Sequence, residues 1–65
     1  MDIIEHFRPW AYHLGVASHR GDALARGLVE GLVANMGRPN AARENRLRAG
    51  LERWIHRHSQ VRAGL

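Results

Sequence analysis

Residues 22–40 read DALARGLVEGLVANMGRPN, and their pattern is that of a helix with apolar side chains on most of its sides. Asp22 is a favourable helix N-cap, and Gly37 followed by Pro39 is a strong stop signal, so we predict a helix over residues 22–36. Its apolar side chains project over roughly half of the helix circumference. They are Leu24, Ala25, Leu28, Val29, Leu32, Val33 and Met36. A helix with so wide an apolar surface needs to be covered on most sides.

Small residues make up much of the remaining surface of this helix. Each glycine in a helix interior costs about 1 kcal/mol relative to alanine, and close approach by another helix is the usual compensation. A chain of 65 residues is also marginal as a monomer. We therefore predict a homodimer whose middle helices pack through Ala23, Gly27, Gly31 and Ala34. Simple tolerance of the glycines is the alternative.

A second helical pattern precedes this stretch, over residues 2–19. Its apolar stripe keeps a helical phase and consists of Ile3, Ile4, Phe7, Trp10, Ala11 and Leu14. Asp2 with Glu5 has the form of a capping box. Pro9 interrupts the pattern because proline lacks the N–H that a helix needs at that position. We predict one helix kinked at Pro9, with a second helix that starts at Pro9 as the alternative.

A third helical pattern follows, over residues 40–62. Asn40 after Pro39 is a good N-cap. The stripe of this helix consists of Leu47, Leu51, Trp54, Ile55, His58 and Val61. The three patterns together predict an all-α fold, in which residues 1–65 form a single small domain of three helices completed by homodimerisation.

The charge is basic and uneven. All ten basic residues are arginine, and against six carboxylates they give a formal net charge of +4. Four of them project along one border of the third apolar stripe, with no carboxylate facing them within the helix: Arg43, Arg46, Arg53 and Arg57. Arg48 differs, since Glu44 and Glu52 each stand four residues away from it. The arginine fork suits carboxylate and phosphate recognition, so the row of four predicts an acidic partner.

Other classes of site find little support in the sequence. There is no cysteine, and no two histidines have the three- or four-residue spacing that a helical zinc pair requires. No nucleophile motif, phosphate-binding glycine loop or spaced carboxylate pair is present. We therefore expect a non-enzymatic protein without metal or cofactor. No stretch reads as a membrane span or a signal peptide, so a cytoplasmic location is expected.

These patterns favour a small regulatory or inhibitory protein that binds an acidic patch of a larger protein. The predicted contact residues are the four arginines and Tyr12, which lies off the first stripe and is expected to be exposed. The alternative is a nucleic-acid-binding regulator whose same arginine row contacts phosphates. A conventional helix-turn-helix fits poorly, because its recognition helix would be residues 22–36, which hold one arginine. A purely structural assembly subunit is a third possibility.

Overall fold

The computed structural model describes the backbone of residues 2–63 and the side chains of residues 2–58. The elements are α1 (Ile3–Phe7), a 3₁₀ turn (Arg8–Trp10), α2 (Ala11–His19), α3 (Ala23–Gly37) and α4 (Ala41–Ala63). No strand occurs in residues 2–63, which confirms the all-α class. The three predicted helical segments are present, the first of them divided by the 3₁₀ turn. None of these helices combines the length and the hydropathy needed to cross a membrane.

The division of the first segment coincides with Pro9. Asp2 caps α1 by accepting a hydrogen bond from the backbone N–H of Ile4 at 3.4 Å. Glu5 forms an ion pair with Arg8 at 2.6 Å, so its carboxylate is engaged at the end of α1. Pro9 then lies inside the 3₁₀ turn, where its missing N–H breaks the α-helical hydrogen-bond ladder. The predicted change of helix direction at Pro9 stays a prediction.

The turn between α2 and α3 is built by Gly21 and Asp22. Gly21 has a φ of 94°, a left-handed conformation that glycine adopts without steric cost. Its N–H donates to the carbonyl of Ser18 at 3.1 Å, and the N–H of Asp22 donates to the carbonyl of Ala17 at 3.0 Å. This is the Schellman pattern, which ends α2. The side chain of Asp22 caps the start of α3, so only residues 20–22 separate the two helices.

The turn between α3 and α4 is held by the side chain of Asn35, which is only 3% exposed. Its Oδ1 accepts a hydrogen bond from the N–H of Asn40 at 2.9 Å, and its Nδ2 donates to Oε2 of Glu44 at 3.0 Å. Asn40 in turn accepts a hydrogen bond from the N–H of Arg43 at 2.8 Å, which confirms it as the cap of α4. One buried amide therefore connects the end of α3 to the first turn of α4.

The core lies where the first segment packs across the α3–α4 pair. α2 contacts α3, α1 contacts α4, and α3 contacts α4. The buried apolar residues come from all three segments: Ile3, Phe7, Leu14, Ala25, Leu28, Leu47, Leu51 and Trp54. Two glycines let α3 and α4 approach closely. A Cβ at Gly31 would lie 2.7 Å from Cδ2 of Leu47, and a Cβ at Gly50 would lie 2.8 Å from Cδ2 of Leu28. These two contacts also show that α3 and α4 run antiparallel.

Part of the predicted apolar stripe of α3 is not covered within the chain. Val33 is 63% exposed and Met36 is 61% exposed. The reason is length: α2 has 9 residues and α3 has 15, so α3 extends about 9 Å beyond the helix that packs on it. The cover that the sequence predicts for most sides of this helix is therefore not complete within the single chain.

Replacement of Asn35 tests the clamp between α3 and α4. We expect Asn35→Ala to lower the free energy of unfolding by about 1–3 kcal/mol, because it removes the two partly buried hydrogen bonds to Asn40 and Glu44. Urea unfolding followed by circular dichroism measures the change. Asn45→Ala is the control, since Asn45 is exposed on α4 and its loss is expected to cost less than about 0.5 kcal/mol. Equal unfolding midpoints for the two variants would contradict a structural role for Asn35.

Candidate functional site

A groove with a volume of about 550 Å³ runs between α3 and α4, and we call it the arginine groove. Three of the four predicted arginines line it: Arg43, Arg46 and Arg53. None of the residues that line it is a carboxylate, and none belongs to α1 or α2. The positive charges of α4 therefore border a concave surface on the side of the α3–α4 pair that the first segment leaves uncovered.

The floor of the arginine groove is apolar and made largely of small residues. It consists of Ala23, Leu24, Gly27, Leu28, Gly31, Leu47, Ala49 and Gly50. The need for glycine at positions 31 and 50 follows from the leucines of the same chain that pack on Gly31 and Gly50. Gly27 is not, because a Cβ at that position would meet nothing within 4 Å. The backbone of α3 is therefore open to approach at Gly27.

The three arginines of the groove have different surroundings. Arg43 is half-buried, and its Nη1 donates a hydrogen bond to the carbonyl of Arg38 at 3.0 Å, which holds it at the end of the groove nearest the α3–α4 turn. Arg46 and Arg53 are exposed. Among the side chains of residues 2–58, no ion pair joins either of them to a carboxylate. Both are available to an anionic group from outside.

The structure divides the residues that the sequence grouped together. Arg57 is exposed on α4 but does not line the arginine groove. Tyr12 is 76% exposed, as predicted, but it lies on α2 in a different groove and does not line the arginine groove. Of the residues predicted for the dimer, Ala23, Gly27 and Gly31 line the arginine groove and Ala34 does not. The predicted dimer face of α3 and the predicted arginine row of α4 therefore line the same groove.

The second groove, of about 620 Å³, is aromatic and lies beside the α2–α3 turn. Trp54 forms its base. The ring of Trp10 meets that of Trp54 edge-on, with centroids 6.2 Å apart. The centroid of the His58 ring lies 4.0 Å from that of Trp54. Tyr12 and His13 extend the aromatic surface, with their ring centroids 5.7 Å apart. Arg20 and Asp22 add one charge of each sign to the lining, so the groove has no clear preference for a charged ligand.

Asp22 is the most highly connected side chain of the second groove. Its Oδ1 accepts hydrogen bonds from the N–H groups of Leu24 at 3.0 Å and Ala25 at 3.1 Å, which caps α3 as predicted. Its Oδ2 accepts a hydrogen bond from Nε1 of Trp54 at 3.1 Å. Nε2 of His58 lies 3.9 Å from the same oxygen. Asp22 thus links the start of α3 to α4.

These contacts determine the ionisation of Asp22. Burial acts to raise its pKa, because a charged group loses hydration. The hydrogen bonds from Ala25, Trp54 and Leu24 act in the opposite direction and outweigh burial. The nearby His58 contributes a smaller lowering through its charge. The pKa of Asp22 therefore lies below the ordinary value of 3.8.

The sequence did not predict the hydrogen bond between Trp54 and Asp22 or the hydrogen bonds of Asn35 across the α3–α4 turn. Asp22 and Trp54 are 32 positions apart, and no periodic pattern relates residues on different helices. Asn35 carried a weak signal, because it is a polar residue late in an otherwise apolar helix and just before the stop at Gly37. That position was consistent with a solvent-exposed amide as well as with a buried one.

No three histidine or carboxylate side chains in the described part of the chain come together in a way that could hold a metal ion. Comparison of the chain with protein-family models, curated proteins and solved structures gives no match.

The pH dependence of stability tests the role of Asp22. A carboxylate whose pKa is lowered by folding contributes stability that is complete above its unfolded pKa, here 3.8. That contribution is lost as the pH falls through the lower pKa of the folded state. We expect Asp22→Asn to keep the helix cap but to flatten the fall in unfolding free energy between about pH 5 and pH 2. Urea unfolding curves across this range measure the effect, and parallel losses in the two proteins would contradict it.

Proposed function

We propose that this chain is a small non-enzymatic binding protein that regulates or inhibits a larger protein by docking its arginine groove on an acidic surface. The observation that carries this proposal is the lining of the groove. Three arginines border it, no carboxylate does, and the formal net charge of the chain is +4. Carboxylates on a partner would find matching donors there, which favours both steering and specificity.

The apolar floor of the groove favours a protein partner over nucleic acid. Contacts to a phosphate backbone need cations in an accessible row and make no use of an apolar floor. A protein surface with acidic residues around a small apolar ridge would use both the arginines and the leucines of the groove. Arg46 and Arg53, which have no carboxylate partner among residues 2–58, are the principal contacts. Arg57 and Tyr12 then lie at the periphery or on a second surface.

Charge reversal in the groove tests this function. Arg46→Glu with Arg53→Glu lowers the formal net charge from +4 by four, to zero. Arg26→Glu with Arg38→Glu makes the same change at exposed positions outside the groove. A protein captured from the producing cells is purified, and its binding to both variants is measured by titration calorimetry. We expect the groove variant to bind at least about tenfold more weakly and the control to bind like the wild type.

Duplex DNA and RNA are titrated in parallel, at two salt concentrations. Micromolar binding that falls steeply with salt and requires Arg46 and Arg53, without any acidic protein partner, would replace the proposed function by phosphate binding. Equal binding of a protein partner by the groove variant and the control would show that another surface is used.

Homodimerisation belongs to the same proposal, because the predicted interface overlaps the arginine groove. Ala23, Gly27 and Ala34 are exposed in the single chain. Gly31 is already in contact with Leu47 of its own chain, so it is available only in part. A second copy packed over Gly27 would occupy the same face as an acidic partner, and binding of the two would be mutually exclusive.

We expect light scattering to give a mass of two chains at micromolar concentration, because pairing covers the small-residue face of α3. Addition of a saturating acidic partner should return the mass to that of one chain plus partner. A mass of one chain for the free protein at this concentration would contradict the dimer and leave the binding function to be judged separately.

A further inference from the structure

We infer that the part of the partner that enters the arginine groove is a single acidic α-helix. The inference rests on the proposed function, and it adds the shape and the charge spacing of the partner. The groove is the open side of an antiparallel pair of helices, since α1 and α2 contribute none of its lining. One more helix laid along α3 and α4 would complete a helical bundle, in which side chains of one helix fill the groove between two others.

The length of the groove corresponds to about three helical turns. It extends from Ala23 to Gly31 along α3 and from Arg43 to Arg53 along α4. At the rise of an α-helix these spans are about 12 Å and about 15 Å. A partner helix would therefore make its contacts over about ten residues.

Gly27 marks where the partner helix would come closest. Packing within the chain accounts for Gly31 and Gly50, each of which receives a leucine. Gly27 lies in the interior of α3, is exposed, and has nothing within 4 Å of the position of a Cβ. A side chain at that position would occupy the space in which the partner backbone is expected to lie.

The arginines supply an independent argument from charge. Arg43, Arg46 and Arg53 are separated by three and seven residues, which is about 4.5 Å and about 10.5 Å along the axis of α4. Carboxylates with the same spacing on another α-helix all fall on one face, because both helices have the same 3.6-residue period. An acidic stripe beside a line of small apolar residues therefore complements the arginines and the floor together.

Three synthetic peptides of about 20 residues test the helix, a length at which alanine-rich sequences form helices. The first carries glutamates spaced by three and then seven residues, with alanine elsewhere on that face, and it is made in both orders of spacing because the direction of the partner helix is not fixed. The second has the same composition but distributes the glutamates around the helix. The third has the first spacing and a central proline. We expect the first peptide, or its counterpart with the spacings reversed, to bind at least about tenfold more tightly than the other two, measured by fluorescence anisotropy.

Gly27→Leu tests where the helix lies. We expect it to weaken binding of the first peptide by about tenfold or more, because the leucine fills the point of closest approach. Gly15→Leu is the matched control. Gly15 also lies in a helix with nothing within 4 Å of a Cβ position, but it is on α2 and outside the groove. Binding by the control should match the wild type, and both variants are first checked for native unfolding midpoints.

The outcomes separate this inference from the function on which it rests. Equal binding of all three peptides that is abolished by reversing Arg46 and Arg53 would overturn the helix and keep an acidic partner. Unchanged binding by Gly27→Leu would also overturn it. If no acidic peptide binds while duplex DNA or RNA does, the helix and the proposed function both fail. If neither the peptides nor the nucleic acids bind, the helix inference fails. The proposed function is then tested by the binding of the captured protein to the groove variant and its control.

Discussion

The carboxylate of Asp22 is the contact on which the arrangement of the helices depends. The backbone N–H of Asp22 donates the hydrogen bond that closes the end of α2, and one carboxylate oxygen of Asp22 caps α3. The other oxygen accepts the indole N–H of Trp54, a residue on α4 that is 2% exposed. A short side chain can make these contacts only if the three helices meet at one point. The largest aromatic side chain in the core thereby has its polar atom satisfied.

A second constraint fixes the distance between α3 and α4. Gly31 and Gly50 each receive a leucine from the opposite helix, and the side chain of Asn35 holds the turn that joins the two helices. This close antiparallel pairing also shapes the surface of the molecule. It brings the small-residue face of α3 beside the arginines of α4, and it forms a groove with an apolar floor and a positive border.

The positions of the arginines are therefore more informative about a binding surface than the net charge of the chain. Arg43 is tethered to a backbone carbonyl, whereas Arg46 and Arg53 are exposed along the groove without a carboxylate partner among residues 2–58. Charge at the edge of a concave, partly apolar surface is worth more for recognition than charge scattered on a convex one, because water is more fully displaced there. An acidic helical segment is the partner that we propose for this groove.

The three helical segments could be predicted from the sequence because the signals that start and stop a helix are local, although the 3₁₀ turn that divides the first segment was not predicted. The caps at Asp22 and Asn40 and the stop after Gly37 set the bounds of α3 and predicted where α4 begins. Helical periodicity placed Arg46 and Arg53 on one face and Tyr12 off the first stripe. Which faces of the helices meet could not be predicted in this way. A helical wheel gives the direction of a side chain within its own helix, but it does not say which other helix lies there. Packing between helices produces the hydrogen bond from Trp54 to Asp22, the position of Tyr12 outside the arginine groove, and the meeting of the glycine face of α3 with the arginines of α4.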